Sequence, residues 1–417
     1  MRRVAPGFLV GLACTLSAFA QGGAIAVKEV ATPNLGEAYA GQAAVADNAS
    51  TAYLNPAGMT RLESSETLIG GQLAALGVRF QPNSFSTMKG SDGGDIREYA
   101  LLPGTYVVRR LTDRLQFGFS FNAPIGLSLD YSEDWIGRYL SRHISMAILE
   151  FHPSVGVRVN RWLSLGFGAA IQRASLTQKQ AGNNSLFVSG YPDGLIHASH
   201  HDWGFGTQYR ALIEPSRRTR IGVTYHSYIK YVMKGTIEME DVTTPLATTL
   251  ARNGKSDNRM RMPQAADVSL YHDVTDRFAL LTDVGWTAWR HFGEKTYTLP
   301  SGAKNTVHRK WRDTFRIGLG MRRKLNDRHM LQAGVSYDSN PVSYWDRTPD
   351  LPVDRQIRYA TGWQYLWRVG LILGFAVSYA DLGAARLDTP YNPLQGKLAG
   401  RYELARLPFV SLTMQFK

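Results

Sequence analysis

Three arginines lie on or beside stretches in which apolar residues alternate with small or polar ones. Arg158 follows Val155 and Val157, Arg173 follows Leu165, Phe167, Ala169 and Ile171, and Arg316 sits between Phe315 and Ile317. A guanidinium on the inner face of such a strand could receive a carboxylate, and could equally be a structural arginine paired with Asp or Glu. Parity sends Arg158 and Arg316 away from the apolar face and leaves Arg173 on it unless a bulge intervenes. Ser141, His143 and Ser145 are close in sequence, but at no spacing that geometry ties to a hydrolase. His197, His200, His201 and Asp202 form the densest histidine cluster, and their polar surroundings read as a solvated loop rather than a metal site. No G-x-x-x-x-G-K-[ST] loop is present, and Cys14 is the single cysteine, so nothing after it offers thiolate chemistry.

The elements that would position these residues are not those of a soluble enzyme. The chain has 417 residues, 44% hydrophobic and 19% charged, with a mean hydropathy of −0.22. That is too apolar for disorder and too polar for a helical membrane protein. The net charge of +13 suits an anionic partner without choosing one, and its scattered Lys and Arg argue against nucleic acid. Met1-Arg2-Arg3, an uncharged run from Val4 to Ala20, and Ala18-Phe19-Ala20 before Gln21 read as a signal peptide over residues 1–20. Cleavage after Ala26 and an uncleaved anchor are the alternatives.

Beyond residue 20 no apolar stretch is long enough for a spanning helix. Period two takes its place. Leu115, Phe117, Phe119 and Phe121 alternate with Gln116, Gly118, Ser120 and Asn122, and the same rhythm recurs at 163–172, 315–322, 369–379 and 411–416. One face is apolar and the other small or polar, the pattern of strands between lipid and a lumen. Short turns near 111–114, 160–162, 215–219, 273–277, 324–329 and 366–368 alternate with long connectors near 80–98, 131–143, 177–202, 233–263, 291–309, 338–356 and 382–402. Six short and seven long connectors imply fourteen strands, an even number with both ends on the short-turn side, as in bacterial outer-membrane barrels. The expected fold is therefore an all-β, 14-stranded antiparallel transmembrane barrel over residues 63–417. Trp162, Trp286, Trp289, Trp311, Trp363 and Trp367 fall near strand ends and are expected to form interfacial girdles.

Residues 21–62 lack that rhythm. They are rich in Ala and Gly and contain Asn55-Pro56-Ala57-Gly58-Met59, which suits short helices packed in a confined space. A barrel of this width would leak unless filled, so the segment reads as an N-terminal plug, or hatch. Pro56 fixes its own φ and restricts Asn55, giving a stiff turn.

The segment "NLGEAYAGQAAVADNASTAYLNPAGMTRL" resembles the hatch of the FadL family of outer-membrane transporters for long-chain fatty acids and other hydrophobic molecules, aromatic hydrocarbons included. "FNAPIGLSLDYSEDWIGRY", "FHPSVGVRVNRWLSLGFGAAIQRA", "DVTDRFALLTDVGWTAW" and "YDSNPVSYWDRTPDLPVDRQIRYATGWQY" resemble further blocks in the expected order. The ending departs from the pattern, because Phe416 is followed by Lys417. The resemblance implies a gate at Asn55, Pro56 and Ala57, and a lateral opening where Asn122, Ala123, Pro124 and Gly126 interrupt the third strand. Proline and glycine weaken a sheet ladder, which makes such a gap mechanically reasonable. It also implies carboxylate binding among Arg158, Arg173 and Arg316 if the ligand is a fatty acid, and capture on an outer loop by Leu186, Phe187, Val188 and Tyr191. The expected function is passive uptake of a long-chain fatty acid or similar hydrophobic molecule, with an aromatic-hydrocarbon channel as the alternative and a general porin or outer-membrane hydrolase behind it. Such a chain would need no cofactor. Its partners would be outer-membrane lipid, lipopolysaccharide and the outer-membrane assembly machinery, and it would act as a monomer.

Overall fold

Residues 30–244 and 253–417 are described by the structure, a computed structural model. Fourteen antiparallel wall strands close on themselves. They are β1 (Glu66–Pro82), β2 (Ile96–Arg110), β3 (Leu115–Asp130), β4 (His143–Arg158), β5 (Leu163–Gly182) and β6 (Gly194–Ser216). Next come β7 (Thr219–His226, resuming at Ile229–Glu240), β8 (Gly254–Met262, resuming at Ala265–Thr275), β9 (Phe278–Thr287, resuming at Glu294–Thr298) and β10 (Lys304–His308, resuming at Thr314–Lys324). The last are β11 (His329–Asp338), β12 (Gln356–Arg368), β13 (Leu371–Asp381) and β14 (Ala399–Phe416). β14 pairs with β1, Phe416 opposite Thr67, so the first and last strands close the sheet instead of leaving two edges to lipid.

Parity sorts the two faces as expected. Phe117, Phe119, Leu165, Phe167, Phe315, Ile317, Leu412 and Met414 are exposed on the outside, while Gln116, Ser120, Ser164, Arg316, Ser411 and Thr413 are buried within. In the outer half of the barrel the inward face changes character. On β4, Ile144, Met146 and Ile148 point in above Glu150, His152 and Ser154, and Leu176, Tyr231, Met233, Met260 and Met262 continue the apolar zone around the wall. The lumen is thus apolar toward the cell exterior and polar around the plug. The expectation of a small or polar inner face holds only for the lower half.

Two further corrections concern the outer rim. Residues 177–202, 233–263 and 291–309 were expected as loops, but β5 to β10 run well into them, rising above the membrane as extended hairpins. The strand through 194–202 alternates its histidines: His200 is buried and pairs with Ser256 Oγ at 2.8 Å, while His201 is exposed on the opposite face. Trp289 and Trp311 are buried rather than interfacial, packed with Phe292 at ring separations of 5.0–5.6 Å. Trp162, Trp363 and Trp367 are exposed near the short-turn side. The proposed leader, residues 1–20, and the first hatch residues, 21–29, lie outside the described residues.

Inside the lower barrel, residues 30–62 fold as short turns and helices: Pro33–Glu37, Gln42–Val45, Thr51–Leu54 and Pro56–Arg61. These elements are too short to be stable alone. Wall residues hold them. Glycines at inward positions let hatch backbone come close: a Cβ on Gly166 would collide with Ala57 N, and one on Gly222 with the Ala43 carbonyl.

Candidate functional site

Between the hatch and the apolar upper lumen lies a cavity of about 180 Å³. Its floor is Gln42, Ala43, Tyr53 and Leu54 of the hatch, and its wall includes Pro124, Ile125, Glu150, Gln172, Gln208, Arg210, Asp267 and Arg316. Ile229 and Met262, on its rim, belong to the apolar zone above. A long amphiphile entering from outside would therefore keep apolar company until its polar end met charged groups.

The wall is broken beside this cavity. The β2–β3 ladder stops at Gly104 opposite Asn122, although β2 continues to Ile96 against β1 and β3 continues to Asp130 against β4. On the β4 side the register slips between Asn122 and Ile125. Asn122 faces Glu150 and Ile125 faces Ile148, so β3 covers three residue steps where β4 covers two. Ala123 and Pro124 fall in that bulge. Proline contributes no N–H to a ladder, and the extra residue turns the strand away from β2. Asn122, Ala123 and Ile125 are buried at the interruption, and Pro124 and Ile125 face the cavity.

Asn55 fastens the floor. Its Oδ1 accepts from Ala57 N–H at 3.1 Å, while its Nδ2 donates to the carbonyls of Ala43, 2.7 Å away, and Ala211 on β6, 3.0 Å away. Pro56 opens a 3₁₀ helix, Pro56–Arg61, where a stiff turn was expected in place of a helix; its fixed φ suits a first helical position. Wall arginines also grip the hatch. Arg220 donates to the Ala44 and Val45 carbonyls at 2.9 and 3.1 Å. Arg316 donates to the Ala38 carbonyl at 2.6 Å. Arg322 is paired with Glu37 and Asp47, and Glu37 also accepts from Gln332 at 2.5 Å.

The sequence matches the profile of the outer-membrane transport protein family OMPP1/FadL/TodX over residues 13–409. The chain belongs to that family. It is an outer-membrane channel for hydrophobic substrates. It is similar to the long-chain fatty acid transport protein of Salmonella typhi, 24% identical over 390 residues, 88% of this chain and 89% of that one. Its fold is similar to the crystal structure of a Pseudomonas aeruginosa FadL homologue, with a TM-score of 0.87 and 22% identity, covering 94% of this chain and 99% of that one. The Ralstonia pickettii toluene transporter TbuX shares the fold at a TM-score of 0.63 and 17% identity, covering 89% and 94%.

Within this FadL-family barrel the sequence candidates separate. Asn55, Pro56 and Ala57 lie in the hatch against the β4–β6 wall, and Asn122, Ala123, Pro124 and Gly126 lie at the broken ladder. Leu186, Phe187, Val188 and Tyr191 are exposed together in the β5–β6 connection. The three arginines do not converge. Arg158 points inward but donates to the Thr60 carbonyl below the cavity. Arg316 reaches the cavity and is already engaged there by Asp283 at 3.0 Å, Ser336 at 3.2 Å and Asp338 at 3.5 Å. Arg173 is on the outer face, 5.6 Å from the Trp203 ring, and its inward neighbour Gln172 takes the lumen position. The hydrolase candidates also stay apart: His143 contacts Asp130 at 3.2 Å rather than either serine.

Sequence reasoning missed Arg210. It is buried in the cavity wall on β6 and bonds Gln208 and His226, at 2.9 Å for the latter, with no carboxylate in its hydrogen-bonding set among the described residues. Its Nε has no partner. The signal was available: Tyr209, Ala211 and Ile213 put Gln208, Arg210 and Leu212 on the lumen side by the same parity applied to Arg158 and Arg316.

Proposed function

We propose that this chain carries long-chain fatty acids passively across the outer membrane. The exposed apolar cluster at Leu186–Val188 and Tyr191 takes up the amphiphile, the apolar upper lumen receives its acyl chain, and Arg210 meets its carboxylate above the hatch. A buried guanidinium without an ion pair gains most from an arriving carboxylate, because its desolvation is already in place. Exit runs sideways between β2 and β3 after the hatch floor shifts, and the acyl chain passes into the membrane without crossing water. The observation that carries this reading is the junction of one cavity with both a buried guanidinium, Arg210, that has no carboxylate within ion-pair distance among the described residues, and the interrupted β2–β3 ladder. No nucleotide loop occurs in the sequence, in keeping with movement down a gradient.

An aromatic hydrocarbon is the second reading. It is favoured by the Met- and aromatic-lined upper lumen, which an uncharged ring could occupy without any cation. Uptake of radiolabelled oleate and of toluene by cells lacking their own transporter, with and without this chain, separates the two. Oleate uptake supports the fatty-acid channel, toluene uptake alone transfers the chain to the second reading, and no gain for either despite correct insertion overturns both.

A further inference from the structure

On the outer wall of β5 to β8 the lipid-facing run ends in cations. Strand β5 presents Leu165, Phe167 and Ile171 to lipid and then Arg173, ten residues past the strand's first residue, Leu163. That is about the length a tilted strand needs to cross the bilayer core. On β7 the outward sequence is Val223, Tyr225, Tyr228, Lys230, Val232 and Lys234, and on β8 it includes Arg259 and Arg261. Cross-strand register brings them side by side: Arg173 is opposite Trp203, Lys230 opposite Arg261, Val232 opposite Arg259, and Lys234 opposite both His201 and Asp257. Tyr228 lies beneath as a platform, with Lys230 and Arg261 5.3 and 5.1 Å from its ring, and Trp203 stands level with Arg173, whose guanidinium is 5.6 Å from the indole.

Several cations elsewhere on the rim are paired within the wall. Arg79 pairs with Asp95 at 2.8 Å, Arg401 with Glu403 at 2.5 Å, and Arg355 with Asp381 at 3.0 Å. Among the described residues Arg173, Lys230, Lys234, Arg259 and Arg261 have no carboxylate within ion-pair distance. Asp257 is the one acid inside the patch facing Lys234, and nearby Asp202 accepts from Val232 N–H at 2.7 Å. Five cations held apart by strand pairing, directly above exposed Phe205, Tyr209 and Tyr225, form a surface that is cationic at headgroup height and apolar below.

We propose that this patch binds the phosphorylated glucosamine headgroup of lipopolysaccharide. The phosphates lie against Lys230, Arg259, Arg261 and Arg173, and the acyl chains run down over Phe205 and Tyr225. The site explains why Arg173 is a cation on an apolar face: it serves the outer leaflet and not the lumen. It depends on the outer-membrane location of the chain and not on which substrate the channel carries.

The test titrates the purified full-length chain in detergent with bis-phosphorylated lipid A, with dephosphorylated lipid A, and with inorganic phosphate as competitor, by native mass spectrometry. Phosphorylated lipid A is expected to bind and its dephosphorylated form to bind far more weakly. The triple substitution K230Q/R259Q/R261Q should weaken binding by about five-fold per charge, on the order of 100-fold in all. The pair R79Q/R401Q on the opposite wall should leave it unchanged. Heat-modifiable gel mobility reports whether each variant is a folded barrel, and the comparison of the two lipids on the unaltered chain needs no variant. Equal binding of both lipids, equal binding by the triple variant, or displacement of the lipid by millimolar phosphate would overturn the proposal.

Discussion

Replacing Arg322 with Leu should unfasten the first hatch turn. Arg322 is buried, and its guanidinium joins Glu37, whose side chain is 0% exposed, to Asp47 on the next hatch segment. Removing one member of a buried pair costs about 3–5 kcal/mol, because the other charge is left uncompensated. Protonation limits that cost. Neutralising at pH 7 a carboxyl of ordinary pKa, about 4.3, takes roughly 3.7 kcal/mol at 1.36 kcal/mol per unit. The loss should therefore be about 3–4 kcal/mol, a rise of some 10²- to 10³-fold in the undocked population of Pro33–Glu37. The remaining grips, Arg220 on Ala44 and Val45 and Asn55 on Ala43, keep the rest of the hatch seated. Hydrogen exchange at the amides of Ala38, Tyr39 and Ala40, which bond within that turn, is the assay, and they should lose protection by that factor while Leu54 and Asn55 do not. The double variant Arg322→Leu/Glu37→Leu should recover much of the protection, since the fully buried carboxylate is then gone and the one left without Arg322, Asp47, has a side chain that is 40% exposed. Unchanged protection at residues 38–40 in the single variant would refute the idea that the wall arginine holds the hatch.

Three other outcomes follow from the same geometry. Arg210→Gln should lower oleate uptake by about 10- to 100-fold, the worth of a charge-assisted hydrogen bond, and leave toluene flux alone; equal loss for both would make Arg210 structural. Gly166→Val places side-chain atoms where Ala57 N now sits, so the hatch floor should shift and single-channel conductance in planar bilayers should rise above that of the unaltered chain. In the hairpin above the membrane, burial and then neighbouring Arg309 push the Lys295 ammonium down to about 7, while Asp350 acts against them. The unfolded state binds the extra proton between pH 7 and about 10.4, so this residue's penalty shrinks as pH rises through that window. Thermal stability should increase from pH 7 to 10, and Lys295→Met should flatten that rise.

The strand count was legible because connector length alternates, and short turns such as 160–162 cannot be mistaken for long ones such as 177–202. Parity was equally legible wherever one face meets lipid and the other meets hatch, as at Phe117 against Gln116. It failed as a guide higher up, for a reason visible on β4. Below residue 150 the apolar phase is odd, with Phe151, Val155 and Val157 outward; above it the phase is even, with Ile144, Met146 and Ile148 inward. That reversal in the sequence marks the level at which the lumen turns apolar. Trp289 and Trp311 were misassigned because an aromatic at a strand end serves a girdle or a capping core equally well, and only the tertiary neighbour Phe292 decides. The polar cavity was not legible, since Glu150, Arg210, Asp267 and Arg316 come from four strands whose adjacency depends on closure.

The measurement that reaches the central claim most directly is oleate uptake by a chain lacking Pro124. Deleting that residue leaves two steps on β3 against two on β4, which removes the bulge and lets β3 run on beside β2. With the barrel intact by heat-modifiable mobility, oleate uptake should fall to the level of cells without the channel. Uptake at the level of the unaltered chain would contradict lateral exit through the β2–β3 opening.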